Sequence, residues 1–444
     1  MSQSVPVNWW EIGLVPVVIL AILALMATVR LVARRFALSP EMQRKIIHVA
    51  VGTSSLFFPL VFSGPLPVIV LIACALVVMF WLRWFGQQSG GLGDVLHSVK
   101  RASYGEIYLA LSVAFLFLMS QGAPVLYVLP LLVITLSDTA SALVGTSYGR
   151  MRFAVSDGSK SYEGVIAFFT VTWICGMIVL LLMSDTARLN VIVLSFLIAS
   201  FCALVEADSW RGLDNLFVPI GAHLLLARHL GTDPVMLLVV SAAFVVAVAL
   251  AIRYSGRIGI SRHAARAFTI NLFLLLAVTA PVNAVLPMIA IAAHVLARRN
   301  NPCRSKTPDL DLLAASTGVS LLWLIAGSAL GTSVIVLFNL TFVGTAVILA
   351  VLATTGEGTN RLKLAALILA FVAVAMIAAW VIQANPAEVQ WYVPVWPPIV
   401  AEIVITVAAA VTLRPWFSKW RAPKVFGIAL ILPVFLFVVD GVLK

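Results

Sequence analysis

The chain has 444 residues, 62% hydrophobic and 11% charged, with a formal charge of +11 and a mean hydropathy of +1.08. Apolar runs recur along its whole length, which excludes a soluble globular protein and predicts an integral, multi-pass membrane protein. About sixteen stretches approach bilayer-spanning length. They are too long and too uniformly apolar for barrel strands, so the predicted fold is an all-α membrane helical bundle. The basic balance does not call for nucleic acid. Suppose the loop holding Arg30, Arg34, Arg35, Arg44 and Lys45 is cytosolic and the chain alternates from there. All of the 29 Lys and Arg except Arg188, Arg228 and Lys444 then fall on the cytosolic side, the usual positive-inside distribution. The N-terminus is expected on the opposite side. Cys74, Cys175, Cys202 and Cys303 are scattered singly, with neither metal-ligand spacing nor a disulfide framework.

Residues 12–29 read as a first membrane helix. No basic segment precedes them and Glu11 sits where a cleaved signal would not place it, while Trp9 and Trp10 suit the interface. Ser39, Pro40 and Glu41 mark a helix start by cap, first-turn proline and acid. Arg44, Lys45 and His48 follow, with His48 and Gly52 on one face. A basic anchor with a buried, hydrogen-bonded His is the plain reading of that helix. After a span at 65–85, the glycines of the polar stretch that runs through Glu106 do not match a phosphate loop, because no Lys-Ser/Thr ending follows and no strand precedes. That stretch reads as a connector in which Lys100 and Arg101 could reach lipid headgroups or a nucleotide.

Spans around 104–120 and 125–147 form a hairpin, and the second carries Asp138 inside an apolar helix. An acid there is expensive and usually functional. Asp138, Ser141, Gly145 and Gly149 recur at steps of three and four on one helix face, a smooth stripe for another backbone or a flat ligand. The loop at 148–162 then leads to Lys160, Ser161, Glu163 and Gly164, and a metal-bound phosphate would account for all these residue types together. Spans at 164–184 and 189–205 return the chain to the same side, where Glu206, Asp208 and Asp214 crowd a short loop before Asn215, Val218 and Pro219. Three such acids form either a solvated turn or a divalent-cation site. Asp138 and Glu163 on the same membrane face favour the cation.

Beyond about residue 232 the composition changes. Arg253, Arg257, Arg262, His263 and Arg266 mark a basic joint, and roughly seven further spans follow. Within these spans the acids are Glu402 and Asp440, each near a predicted end. The chain is therefore divided into residues 1–260, which carry the polar constellation, and residues 261–444, an additional membrane domain of unassigned role.

The constellation resembles the CTP-dependent lipid kinases typified by phytol kinase and dolichol kinase, relatives of CDP-diacylglycerol synthase, over roughly residues 30–250. The central block resembles Asp-x-x-Ala-x-x-x-Gly-x-x-x-Gly followed by Lys-Lys-Thr/Ser-x-Glu-Gly, met by Asp138, Gly145, Gly149, Lys160, Ser161, Glu163 and Gly164. An upstream block is met by Glu41, Arg44, Lys45, His48 and Gly52, and a downstream one by Glu206, Asp214, Asn215, Val218 and Pro219. Ser141 replaces the usual Ala and Ser159 the first of two Lys. The resemblance implies phosphoryl transfer from CTP to the hydroxyl of an isoprenoid alcohol at the cytosolic membrane face. Phosphoryl transfer needs positioning and charge neutralisation more than covalent chemistry. Mg²⁺ would be held by Asp138, Glu163, Glu206 and Asp214. Lys160 would pair with phosphate, helped by Arg44 and Lys45. Ser141, Ser161 and Asn215 would belong to the nucleotide site, with Gly145, Gly149 and Gly164 allowing close backbone approach. Asp138, Asp214 and His48 are the alternatives for general base.

Other readings share parts of the pattern. A cytidylyltransferase acting on phosphatidic acid would carry Ser-Pro-Lys-Lys-Thr where this chain has Ser156 to Ser161 without the proline. A CTP-dependent diacylglycerol kinase fits the same motif. A transporter would place its acids near the midplane, whereas these lie at helix ends and in loops.

Overall fold

In the computed structural model, residues 8–38, 40–85, 104–120, 122–155, 158–210, 212–330, 334–355, 361–387 and 394–443 are described. Ser39, the side chains of Pro40 and Glu41, Lys100, Arg101, Ser156 and the side chain of Asp440 fall outside the described set, so the expectations placed on them do too. The chain divides into two compact units, Met1–Ala243 and Phe244–Lys444.

Among the described residues ten helices are long and apolar enough to cross a membrane, and three shorter apolar helices accompany them. This is an all-α, multi-pass membrane class of fold. The finer expectation of about sixteen spans exceeds that number. Pro40–Ser55, Asp214–His229 and Arg262–Val278 are helical, with 16, 16 and 17 residues, but none is among the candidate spans.

The first unit opens with α1 (Trp9–Arg35), α2 (Pro40–Ser55), the single turn α3 (Phe58–Val61), α4 (Pro65–Phe85) and α5 (Gly105–Met119). A continuous helical run follows, made of α6 (Val125–Leu132), a π-helical turn (Val133–Ser137) and α7 (Asp138–Ser147). The expected loop at 148–162 is instead largely an antiparallel hairpin of β1 (Arg152–Val155) and β2 (Gly158–Ser161), with Arg152 opposite Ser161 and Phe153 opposite Lys160. Phe153 packs on Tyr162 at 4.9 Å. Then come α8 (Tyr162–Met183), α9 (Arg188–Asp208), α10 (Asp214–His229) and α11 (Pro234–Ile258), the last of which contains the division between units.

Two prolines inside helices shape this unit. Pro130 has no N–H for the carbonyl of Leu126, and His223 Nδ1 donates to that carbonyl instead at 2.9 Å. Pro219 likewise frees the carbonyl of Asn215, and Ser112 Oγ donates to it at 2.9 Å. Each proline thus exchanges an intrahelical bond for a tie between helices, and the second fixes the start of α10 against α5.

The second unit holds α12 (Arg262–Val278), α13 (Val285–Asn300), α14 (Pro308–Leu330), α15 (Ile335–Thr354), α16 (Arg361–Gln383), α17 (Trp396–Thr412), α18 (Arg421–Ala429) and α19 (Ile431–Leu443). Its centre is α15, whose membrane-length window is 89% buried. A helix apolar on all sides belongs in such a place.

Candidate active site

The cavity of the first unit, about 540 Å³, collects the ends of several elements. Its polar end is lined by Arg44, Lys45 and His48 from α2, Asp138, Ser141 and Gly145 from α7, Lys160 and Ser161 from β2, and Gly164 from α8. Glu206 at the end of α9, with Asp214 and Asn215 at the start of α10, completes it. The N-terminal turns of α5, α8 and α10 reach the cavity through Gly105, Gly164 and Asp214. Helix N-termini carry partial positive charge and unsatisfied N–H groups, a setting that favours anions.

Asp138 is 9% exposed. Its Oδ2 accepts from Lys45 Nζ at 2.6 Å and lies 3.6 Å from His48 Nε2. The π turn just before it explains the position of His48. Widening a helix by one residue disturbs the carbonyl ladder, and His48 Nε2 lies 3.0 Å from the carbonyl of Ile134 within that turn. A carbonyl only accepts, so Nε2 carries the proton there and Nδ1 is the nitrogen without one on a neutral ring. The approach of α2 to the turn depends on Gly52, where a Cβ would sit 2.3 Å from Thr135 Oγ1.

Lys160 Nζ donates to Glu206 Oε1 at 2.9 Å and to the Glu206 carbonyl. Burial works against its charge, but the carboxylates of Glu206 and Asp214 outweigh that and hold its titration above the ordinary lysine range. Asp214 Oδ1 accepts from the Asn215 N–H at 3.1 Å. One carboxylate oxygen from each of Asp138, Glu206 and Asp214 lies within 4.8 Å of the others. Glu206 Oε2 and Asn215 Oδ1 are buried with no hydrogen-bond partner among the described residues. Three converging carboxylates facing two lysines, with an acceptor oxygen left over, fit a hard divalent cation that brings further oxygen ligands with it.

Three expected site residues are placed elsewhere. Asp208 is buried but belongs neither to the carboxylate group nor to the cavity lining. Glu163 is outside both the carboxylate group and the cavity lining. Its Oε1 accepts from the backbone N–H groups of Arg150 at 3.0 Å and Met151 at 3.1 Å, tying the entrance of the hairpin to the first turn of α8. Gly149 is also outside the lining. A Cβ there would lie 2.3 Å from the Gly145 carbonyl and 2.7 Å from Ser161 Cβ, so this glycine serves packing. Ser161 lines the cavity and also caps α8, its Oγ accepting from Gly164 N–H at 3.1 Å.

Glu106, Arg152 and Trp210, to which the sequence motifs assign no role, also line the cavity. Glu106 fell in the polar connector and Arg152 in the assumed loop. The acid in the first turn of α5 was a usable signal for the former. The other wall of the cavity was also unforeseen. It is apolar, built from Ile22 and Met26 of α1, Leu71 and Met79 of α4, and Leu109 and Val113 of α5.

Fold and site together define a polytopic membrane protein whose cavity joins a charged, carboxylate-bearing end to an apolar arm. No family model matches the chain, and no solved structure matches it. A phytol kinase of Synechocystis sp. is 32% identical over 206 residues, which cover 43% of this chain and 81% of that protein. The chain belongs to the phytol kinase family. It is accordingly an enzyme, a kinase with an alcohol as phosphoryl acceptor.

Proposed function

We propose that the protein transfers the γ-phosphoryl group of CTP to the hydroxyl of an isoprenoid alcohol, with Mg²⁺, at the cytosolic face of the membrane. The observation that carries this reading is the two-toned cavity. An apolar arm between α1, α4 and α5 leads to Asp138, Glu206, Asp214, Lys45 and Lys160. A long apolar alcohol and a triphosphate need those two environments side by side.

Asp138, Glu206 and Asp214 would hold Mg²⁺, which supplies charge neutralisation on the phosphates and alignment of the transferred group. Lys45 and Lys160 each neutralise one carboxylate and stand ready to pair with phosphate oxygens. The residues considered for taking the proton of the attacking hydroxyl differ in their engagement. Asp138 is bound by Lys45, and His48 donates through Nε2, leaving Nδ1. Asp214 accepts from its neighbouring backbone N–H and is the carboxylate least occupied by cations. The apolar arm holds the tail, excludes water from the reacting hydroxyl and presents it at the charged end.

The test uses purified full-length protein, Mg²⁺, and CTP labelled at either the α or the γ position. Phytol, farnesol, geranylgeraniol, dolichol, diacylglycerol and phosphatidic acid serve as acceptors. γ-Label in an isoprenoid phosphate is the expected result. γ-Label in phosphatidic acid made from diacylglycerol would replace the acceptor, and α-label in a CDP-lipid would replace the reaction.

A further inference from the structure

The apolar arm has a definite far end, and its direction follows from the helix connections. Glu11 near the start of α1 accepts from Ser63, Oε2 from the backbone N–H at 3.0 Å and Oε1 from Oγ at 2.6 Å. The start of α1 and the turn between α3 and α4 therefore lie at one level. The end of α1 passes through a short turn into α2, where Arg44 and Lys45 line the charged end. Along α2 the lining runs from Lys45 to Ser55, and Phe58 of α3 is the next residue to reach the cavity. Ser55 stands ten positions after Lys45 along the helix, a rise of about 15 Å, roughly half of the ~30 Å hydrocarbon layer.

Phe58 is 6% exposed, and its ring meets Phe62, itself 2% exposed, edge to face at 5.8 Å. The Tyr127 hydroxyl donates to the Ser55 carbonyl at 2.6 Å, which holds the backbone just before Phe58. On the other side, the lining of α4 begins at Leu71, 1% exposed. At this end of the lining the arm thus meets an aromatic wall, Phe58 backed by the ring of Phe62.

We infer that Phe58 is a specificity-determining residue: it closes the tail-binding arm and sets the longest isoprenoid alcohol that can bring its hydroxyl to the charged end. This rests on the kinase reading. A tail that overruns the wall must fold back or leave its hydroxyl displaced, and a displaced nucleophile loses rate steeply.

The experiment measures kcat/KM for geraniol, farnesol, geranylgeraniol and solanesol with γ-labelled CTP, in wild type, Phe58→Ala and Phe58→Trp. Differences of one or a few methylenes in an apolar pocket change specificity by roughly 10- to 200-fold. Phe58→Ala is therefore expected to raise the long-to-short acceptor ratio by about tenfold or more, and Phe58→Trp to lower it. Phe58→Trp, which fills rather than empties the site, keeps the test decisive if Phe58→Ala yields no folded protein. An active wild type whose ratio stays within about twofold in the folded variants, well below that range, overturns this inference alone. A wild type that labels none of the alcohols overturns the kinase reading and the inference with it.

Discussion

The two units bury polar groups in opposite styles. In the first, the buried and half-buried groups at the cavity are ionic and convergent. Asp138, Glu206 and Asp214 come from three helices and meet Lys45 and Lys160 at one end. In the second, a central set is neutral and closes on itself. Asn283 and Asn385 exchange side-chain bonds at 2.9 and 3.0 Å, and Asn339 Nδ2 donates to Asn283 Oδ1 at 2.8 Å. Trp323 Nε1 donates to Thr341 Oγ1 at 3.0 Å nearby in sequence on α15. Amide ties of this kind join helices in a membrane at modest gain. Converging carboxylates cost far more to bury and persist where they handle charge. The contrast separates a site from a seam.

The sharpest way to break that contrast is to neutralise the first set. Asp138→Asn and Lys160→Ala are each expected to lower γ-phosphoryl transfer by at least about a hundredfold, the scale seen when a preorganised charge is removed from a transition state. Initial rates on protein that still elutes as a single folded species in detergent would check it. A loss of less than about tenfold, far short of that scale, for both variants would demote the convergence to a structural ion network.

The second unit has ionisable groups too, buried Arg421 and the Asp309 carboxylate paired with His294 and Arg298 among them, and Glu402 sharpens the comparison at the next level. It is fully buried, and neither carboxylate oxygen has a hydrogen-bond partner among the described residues. Gly344 on α15 makes room for it, since a Cβ there would lie 1.9 Å from Oε1. Overpacking of this sort costs typically 1–3 kcal/mol. Gly344→Ala should lower the stability of the detergent-solubilised protein by about that amount. Glu402→Ala should relieve a large part of the added cost in the double variant. Thermal unfolding of the four proteins of the cycle measures the coupling. Purely additive effects would mean that Gly344 accommodates Ala429 and not the acid.

Much of this was legible in the sequence, for physical reasons that differ by element. The segments expected at 65–85, 104–120 and 125–147 are helical, as Pro65–Phe85, Gly105–Met119 and Val125–Ser147, because an apolar run bounded by polar residues has one economical form in lipid. Of the three, the last is among the candidate membrane spans and the other two are shorter apolar helices. Every expected site residue except Asp208, Glu163 and Gly149 lines one cavity. Helical spacing already put Asp138, Ser141 and Gly145 on one face, and alternation of the spans put Lys160, Glu206 and Asp214 at one level. The exceptions have local causes. Glu163 is separated from Lys160 by only two residues, but Lys160 lies on a strand and Glu163 on the first helical turn, so their side chains diverge. The hairpin itself was hidden by short strands and a Gly-Ser composition. The π turn left no periodic trace in five residues. The apolar arm was invisible for a broader reason: a tail-lining Leu71 or Met79 looks the same in sequence as one that packs on a neighbour or faces lipid.

The smallest expected effect tests the seam directly. Asn339 is fully buried on α15, with Nδ2 shared between Asn283 Oδ1 at 2.8 Å and the Ile335 carbonyl at 2.9 Å, and with Oδ1 unpartnered among the described residues. Replacing it by Leu removes one bond between helices but also an unsatisfied oxygen, and the two changes oppose each other. Polar ties in membrane bundles average about 0.6 kcal/mol, so Asn339→Leu should shift stability by less than about 1 kcal/mol in either direction. The γ-transfer rate per folded molecule should stay unchanged. Thermal unfolding and initial rates on the same preparation measure both. A large loss of transfer at unchanged stability would give the amide set a part in the chemistry and erase the distinction between the two units.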